Sequence, residues 1–397
     1  MSNVVVGLWS PNTHIQRKST ASTLVHLRKA VSETYAAASA SSQKGQLTSI
    51  FVSPEFLFSQ TGQDDQGTTA VTRRKRNWIL EKIQSMASNW PGMLLVPGTI
   101  VFREDITPES AQKAIMRLQH ARTPDPKNFM GYKEDEKIRA AWDAKIKSAA
   151  RQKRPVMAAY TTREVGSPAD VEAYYEQQIA KLKNEVVTNP NVLKQSFLIK
   201  NRTYVFFNGE RIFTYGKKTN MDDFHDDTAK GIYIPGRHEG VTRIPPGNGK
   251  LRVGFEVCLE HELGTLKQHL TANDLDLHII LSAEMPTGWQ NCCVKNRGFV
   301  LHASANPILS GVIQKVQGKE GEFPVRYPDF TLGDRWDLKP REKAAGEAHF
   351  TTKGIAKHYG RVMAPTMGWN NIEPRPQERE IGGGPLRLYD IDIDNAA

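Results

Sequence analysis

The sequence predicts a mixed α/β fold, because apolar strand-like runs and helical patterns alternate along its first hundred residues. Helical spacing is clearest where Leu24, Leu27 and Val31 recur on one face of an alanine-rich segment. Pro97-Gly98 interrupts the last of the apolar runs. The predicted elements are, in chain order, strand 4–9, helix 20–39, strand 48–52, helix 74–88 and strand 93–102.

Strand character returns near residue 195, and further strands are predicted up to about residue 305 and at the end of the sequence. Asn208-Gly209 is a hairpin signal between two β-prone runs, and it places Tyr215-Gly216-Lys217 at the far end of the second run. The predicted elements here are strands 195–199, 203–207, 211–215 and 250–257, helix 260–273, strand 275–282, a mixed segment 294–305 and a closing strand 386–393.

Two regions interrupt this alternation. Residues 104–192 are charged and helix-prone between prolines, with helices predicted at 133–151 and 169–187, because a structureless loop of that length is uncommon in a compact domain. Residues 315–380 are rich in glycine, proline and charge. We therefore predict a single domain over 1–397, with a helical insertion at about 104–192 and an irregular C-terminal extension at about 315–380.

Composition is that of an ordinary globular protein, with 39% hydrophobic and 24% charged residues. No apolar run approaches the roughly 20 residues of a membrane span, so no membrane association is expected. The three cysteines, with Cys292 and Cys293 adjacent, do not suggest a disulfide framework, and reduced thiols favour a cytoplasmic location. The net charge of +10 is dispersed. The cluster Arg73–Arg76 opens a helical pattern, which favours a solvated helix start over a nucleic-acid site.

Three reactive side chains follow predicted strands. Cys258 ends the apolar run 251–257 and precedes a charged, helix-prone stretch, where a helix N-terminus could stabilise a thiolate; a buried structural cysteine is the alternative. Glu55 and Lys217 follow two other strands. Strand ends converge in α/β sheets, and a thiol, a carboxylate and an ammonium together suit acyl transfer through a thioester.

These three sites resemble the motifs of the nitrilase, or carbon–nitrogen hydrolase, superfamily. The motifs stand as Pro54-Glu55, Tyr215-Gly216-Lys217 and Gly254-Phe255-Glu256-Val257-Cys258, in the order typical of the family. The resemblance covers about 1–103, 195–313 and the last strand. It implies a four-layer α-β-β-α sandwich that pairs into homodimers or higher oligomers through the helix after the cysteine. Supporting matches are Val96–Thr99, Phe207–Gly209, Tyr233–Gly236, Pro286–Trp289 and Ala303–Pro307.

The resemblance also implies a mechanism. Glu55 would be the general base, Lys217 would stabilise the tetrahedral intermediate, Cys258 would be the nucleophile, and the backbone N–H of Leu259 would complete the oxyanion hole. The implied substrate is a small amide, carbamoyl compound or nitrile. An amidase or N-carbamoyl amidohydrolase is favoured over a nitrilase, because leucine rather than tryptophan follows the cysteine. An acyl or amide transferase, and a non-catalytic binding protein on the same fold, are the alternatives.

The sequence departs from the family where a second glutamate commonly follows the lysine. Asp222, Asp226 and Asp227 are the candidates to replace it. The choice of Lys217 over Lys218 rests on the Tyr-x-Lys spacing. Glu260, Met285 and Trp289 are candidates to line the pocket.

No metal or cofactor is expected. The spacing in Glu260-His261-Glu262 does not match the usual zinc-binding helices, so this stretch is predicted to be a solvated helical turn. Cys292 and Cys293 are predicted to be structural.

Overall fold

The computed structural model describes residues 3–13, 19–38, 46–59, 70–122, 175–184, 196–218, 231–237, 239–244, 251–262, 264–270, 273–283, 285, 287, 291–316 and 369–393. The chain divides into two compact units. One is Met1–Arg117, Lys181–Gly321 and Pro365–Ala397, and the other is Leu118–Ala180 and Glu322–Ala364. The second unit is described at 118–122 and 175–180, which are helical.

The described elements alternate as the sequence predicts. In chain order they are β1 (Asn3–Trp9), α1 (Thr20–Ala37), β2 (Ser49–Ser53), β3 (Val71–Thr72), α2 (Arg73–Ala87), β4 (Met93–Pro97), β5 (Thr99–Asp105), α3 (Pro108–Arg122), α4 (175–184), β6 (Phe197–Phe207), β7 (Glu210–Gly216), β8 (Gly231–Tyr233), β9 (Val241–Ile244), β10 (Leu251–Val257), α5 (Leu259–Glu262), α6 (Thr265–His269), β11 (Leu275–Ser282), β12 (Val294–Ser304), β13 (Gly311–Lys315), β14 (Trp369–Ile372), β15 (Arg379–Glu380) and β16 (Pro385–Asp392).

The strands form two sheets. The first has the order β15-β16-β1-β2-β4-β6-β5-β3, with β7 and β8 also paired to β6. The second has the order β14-β13-β12-β11-β10-β9, and its central strands β10, β11 and β12 run parallel. The predicted mixed α/β class is confirmed.

Alternate residues of both sheets pack into one apolar cluster. Those of the first sheet include Val6, Val52 and Val96, and those of the second include Phe255 and Ile279. Since successive side chains of a strand point to opposite faces, the outer faces carry separate clusters. Helices α1 and α2 cover the first sheet, and Leu266 of α6 belongs to the cluster on the second.

The prediction of one continuous helix over 260–273 is wrong. The chain forms two short helices, α5 and α6, because Gly264 between them adopts a left-handed conformation with φ +64°. A Cβ at this position would lie 2.8 Å from Asn291 Oδ1, so glycine also allows that close approach. The segment predicted as mixed at 294–305 is a single strand, because β12 pairs along its length with β11.

The two interrupting regions are described only in part. Within 104–192, the end of β5, α3 and α4 are seen, and the predicted helix 133–151 lies outside the described residues. Within 315–380, β14 and β15 are seen. The single-domain organisation therefore stays a prediction. In the part of the chain that the structure describes, no helix combines the length and apolar character needed to cross a membrane.

Candidate active site

Glu55 lies in the turn that follows β2, and its side chain is fully buried. The next residue, Phe56, has a φ of 61°, and its N–H donates to Thr99 Oγ1 at 3.0 Å. A positive φ is uncommon outside glycine, so the surrounding contacts hold this turn in place. The turn therefore presents a carboxylate from the end of a buried strand.

The backbone of Lys217 is fixed on both sides of the peptide. Its N–H donates to Asn201 O at 3.0 Å, while its carbonyl accepts from Gly236 N at 3.0 Å and from the Tyr233 hydroxyl at 2.7 Å. Lys217 directly follows β7, so these bonds extend the order of the hairpin beyond its last paired residue. These backbone hydrogen bonds therefore fix the position from which the lysine side chain extends.

The structure brings Glu55 and Lys217 together. Lys217 Nζ lies 3.0 Å from Glu55 Oε1, and both side chains have 0% exposure. Asn201 Nδ2 donates to the same carboxylate oxygen at 2.8 Å. Because a buried charge is costly unless it is paired, each ion stabilises the other here. Lys217 thus contacts the glutamate.

Cys258 occupies the turn between β10 and α5 and is half-buried. It adopts a φ of 52°; its N–H donates to Leu281 O at 2.8 Å, and its carbonyl accepts from His261 N at 2.8 Å. Leu259, the first residue of α5, follows directly. Since α5 is a single turn, its dipole stabilises a thiolate less than the long helix that the sequence predicts.

Glu260 joins the cysteine turn to the end of β7. Its Oε2 accepts from Val257 N at 2.9 Å and from the Tyr215 hydroxyl at 2.9 Å, and its Oε1 accepts from Lys218 N. Burial raises the pKa of Glu260 to about 7, while these hydrogen bonds and the charge of Lys217 oppose the rise. Two residues from Cys258, this carboxylate reaches the residues on either side of Lys217.

The predicted solvated turn at Glu260-His261 is therefore wrong, because both side chains are fully buried. His261 Nδ1 lies 2.7 Å from Glu256 Oε2, and His278 Nε2 lies 3.0 Å from the same oxygen. Leu266 N donates to Glu256 Oε1 at 2.6 Å. Although burial raises it, the hydrogen bonds from the two histidines bring the pKa of Glu256 down to about 2.

Three side chains lie close enough together to hold a metal ion: Glu256, His261 and His278. Each offers one potential ligand atom, and these atoms lie within 4.8 Å of one another. The position of the His278 ring proton favours a hydrogen-bonded cluster over a metal site. Cys293 N donates to His278 Nδ1 at 3.4 Å, which leaves the His278 proton on Nε2, facing the carboxylate. A metal ligand would need that nitrogen unprotonated. The cluster is better described as a carboxylate hydrogen-bonded to His261 and the Leu266 N–H, with His278 Nε2 in contact at 3.0 Å.

The remaining predicted residues lie in the apolar cluster on the second sheet or outside the described residues. Met285 is buried in the apolar cluster on the outer face of the second sheet. Cys292 and Cys293 are buried in the same cluster, and burial raises the pKa of Cys292 far above its usual range and that of Cys293 to about 12. Asp222, Asp226, Asp227 and Trp289 lie outside the described residues.

Sequence reasoning missed two groups that hold the Glu55–Lys217 pair. Asn201 falls in the gap between two predicted strands, which in the structure are one continuous strand, β6. Its neighbours Lys200 and Arg202 are polar too, so the sequence carried no signal for it. Tyr233 belongs to a motif that the sequence does show, but only the fold brings its hydroxyl to the Lys217 carbonyl.

No family model matches the chain, and no curated protein matches it. Solved structures do. Nit3 of Saccharomyces cerevisiae, a member of branch 10 of the nitrilase superfamily, is 12% identical with a TM-score of 0.38, over 79% of this chain and 83% of that one. An amidase from Nesterenkonia sp. AN1, in complex with acrylamide, is 8% identical with a TM-score of 0.42, over 100% and 93%. The glutamine-dependent NAD+ synthetase of Acinetobacter baumannii is 10% identical with a TM-score of 0.36, over 76% and 38%. At these identities the likeness concerns the fold alone.

Proposed function

We propose that this chain is a hydrolase of non-peptide carbon–nitrogen bonds, of the nitrilase-superfamily type, with Cys258 as the nucleophile. One observation carries the proposal. Glu55 and Lys217, 162 residues apart, form a fully buried ion pair at 3.0 Å, and Glu260 ties the strand end bearing Lys217 to the Cys258 turn. Buried ionisable groups gathered from separate strand ends are typical of catalytic sites.

In the first half-reaction, Glu55 accepts the thiol proton and the Cys258 sulfur attacks the carbonyl carbon of an amide. The negative charge that develops on the carbonyl oxygen is stabilised by the Lys217 ammonium and the Leu259 N–H. Glu55 returns its proton to the nitrogen as the carbon–nitrogen bond breaks. Ammonia or an amine leaves, and a thioester remains on Cys258.

In the second half-reaction, Glu55 accepts a proton from water, whose oxygen attacks the thioester carbon. The carbon–sulfur bond breaks, the proton returns to the sulfur, and a carboxylic acid is released. A nitrilase and an acyl or amide transferase would use the same three residues. The nitrilase would form a thioimidate before the thioester, and the transferase would use another acceptor in place of water.

We favour an amidase or N-carbamoyl amidohydrolase acting on a small molecule, with no cofactor. The leucine at position 259 supports this choice over a nitrilase, as the resemblance implies. A four-layer arrangement, a single domain, assembly into homodimers or larger homo-oligomers and a cytoplasmic location complete the proposal. The apolar cluster shared by the two sheets supports the layered arrangement.

The proposal is tested by trapping the acyl group. The purified chain is mixed with a panel of short aliphatic amides, benzamide, an N-carbamoyl amino acid and benzonitrile, then quenched in acid and digested for mass spectrometry. We expect a mass gain equal to the acyl group on the peptide containing Cys258, and no gain in a Cys258→Ala variant. Ammonia release without any adduct at Cys258, or an adduct at Cys292 or Cys293, would contradict the assignment.

Alkylation distinguishes this enzyme from a binding protein on the same fold. Because burial raises the pKa of Cys292 and Cys293, both thiols should react slowly with iodoacetamide at pH 7.5. We expect Cys258, half-buried in a turn that Glu260 joins to the end of β7, to react about a hundred times faster. Peptide-resolved mass spectrometry gives the three rates. Equal, slow labelling of all three thiols would support the non-catalytic alternative.

A further inference from the structure

We propose that Glu260 is a positioning residue, which holds the Lys217 end of β7 against the turn that carries Cys258. The inference rests on the proposed function and deepens it. Glu260 has no step in the proposed mechanism, yet its carboxylate is fully buried within two residues of the nucleophile.

The contacts of Glu260 join two sheets. Tyr215 belongs to β7, and Lys218 follows that strand, so both donors come from the first sheet. Val257 is the last residue of β10 in the second sheet. The donors from the first sheet lie on either side of Lys217 along the chain. A single carboxylate therefore fixes the strand ends from which Lys217 and Cys258 project.

A buried carboxylate is a costly way to join two sheets, since an apolar contact would avoid its desolvation. The carboxylate fixes the relative orientation of the two strand ends, because hydrogen bonds in a buried site are strong and depend on angle. It also places a negative charge near the Lys217 ammonium. Both effects favour one position of the lysine relative to the cysteine turn.

The ionised carboxylate accepts more strongly from all three donors than the neutral acid does. Once protonated, Glu260 must donate its own proton and give up part of its acceptor capacity. The titratable groups that face this region are Tyr215, Lys217 and Lys218 from β7 and its end, Glu256 from β10, and Glu239, which faces Lys218. Because the pKa of Glu260 is about 7, we expect positioning to weaken progressively as the pH falls below 7.

The pH dependence of the folding stability that Glu260 contributes runs in the opposite direction to that of positioning. The folded chain holds the Glu260 proton at a pH where the unfolded chain has lost it, since the pKa rises from 4.5 to about 7 on folding. Stability therefore decreases as the pH rises through that range. Catalysis and stability respond to this group in opposite directions, which separates a positioning role from a structural one.

The test compares Glu260→Gln with the parent and with Glu239→Gln, a matched control at an exposed glutamate near Lys218. Iodoacetamide alkylation of Cys258 is measured from pH 5 to 9, so no substrate is needed. Glutamine cannot accept from both N–H groups and the tyrosine. We expect Glu260→Gln to lower the rate at pH 7.5 by about ten-fold, and to move the midpoint of the pH curve upward, because the lysine stabilises the thiolate less.

The outcomes separate the possible roles. A Glu260 that acted only as a charge would give the opposite shift, because removal of an anion lowers the thiol pKa. A folded Glu260→Gln protein with the parent rate and midpoint would overturn the inference, as would an equal effect in Glu239→Gln. If Glu260→Gln does not fold, Tyr215→Phe, which removes one of the three hydrogen bonds, should shift the midpoint upward by a smaller amount; no shift there overturns the inference.

Failure of the proposed function has a different signature. If no acyl adduct forms on Cys258, the hydrolase assignment fails, whatever the alkylation curves show. If the adduct forms and the Glu260→Gln curve matches that of the parent, only the positioning role fails. Where a substrate is found, we expect Glu260→Gln to lower kcat by about ten-fold with little change in KM, because the residue acts on the catalytic groups rather than on binding.

Discussion

Replacing Cys258 with alanine is expected to lower the turnover of any substrate that the parent hydrolyses by about 10⁴-fold or more. The proposed thioester needs this sulfur, and the other two cysteines are buried, with pKa values raised by burial. The fold should change little, since Cys258 is half-buried and alanine leaves Glu55 and Lys217 intact. Ammonia release measures the activity, and circular dichroism on heating measures the fold.

Cys292→Ala is the matched control for the loss of a thiol. It removes a buried sulfur from the cluster on the outer face of the second sheet, so it should cost some stability and leave turnover within about two-fold of the parent. A Cys258→Ala protein that keeps more than about a tenth of the parent rate would exclude a thioester on this residue.

Replacing Glu256 with alanine is expected to lower the free energy of unfolding by about 3–5 kcal/mol. The carboxylate lies 2.7 Å from His261 Nδ1 and 3.0 Å from His278 Nε2 and accepts from the Leu266 N–H, and the Glu256, His261 and His278 side chains are fully buried. Without Glu256, the His261 ring and the Leu266 N–H lose a hydrogen-bond partner, and His278 loses the carboxylate that it contacts. The cost can be measured from the midpoint and slope of urea unfolding at pH 7.

The same group predicts a pH dependence. The pKa of Glu256 falls from 4.5 in the unfolded chain to about 2 in the folded one, so its contribution is fully present above pH 4.5 and is lost as the pH falls toward 2. The shift corresponds to about 3 kcal/mol. The parent should therefore lose stability over this range more steeply than Glu256→Ala does.

Glu210→Ala, at an exposed glutamate that begins β7, is the control for the loss of a carboxylate. It should change stability by less than about 0.5 kcal/mol. If Glu256→Ala costs no more than this control, the three donors have other acceptors and the cluster does not hold the α5–α6 segment in place.

The strand ends of the candidate site could be predicted from the sequence because strand and turn signals are local. Apolar, β-prone runs place β2, β7 and β10, and the hairpin signal Asn208-Gly209 brings Lys217 to a strand end. The helix after the cysteine could not be predicted well. Its residues have helical propensity, but Gly264 adopts a left-handed conformation, and a Cβ there would lie 2.8 Å from Asn291 Oδ1, a close approach that depends on packing.

The burial of Glu260 and His261 shows the same limit. Charged residues after a strand are usually solvated, so a local pattern predicts a surface turn. Here each side chain finds partners on other elements: Glu260 on the end of β7, and His261 on Glu256 of β10. Those partners offset the cost of burial, and no sequence window includes them.

Local patterns were enough to predict the mixed α/β class, the strands that precede Glu55, Lys217 and Cys258, and the chemistry that those three residue types suit. The pairing of Lys217 with Glu55, the bond from Asn201 to the same carboxylate and the buried link that Glu260 makes between the two sheets became visible in the folded chain. Local sequence sets backbone preference and strand ends, whereas the state of a buried charge depends on which distant groups the packed sheets bring within hydrogen-bond distance.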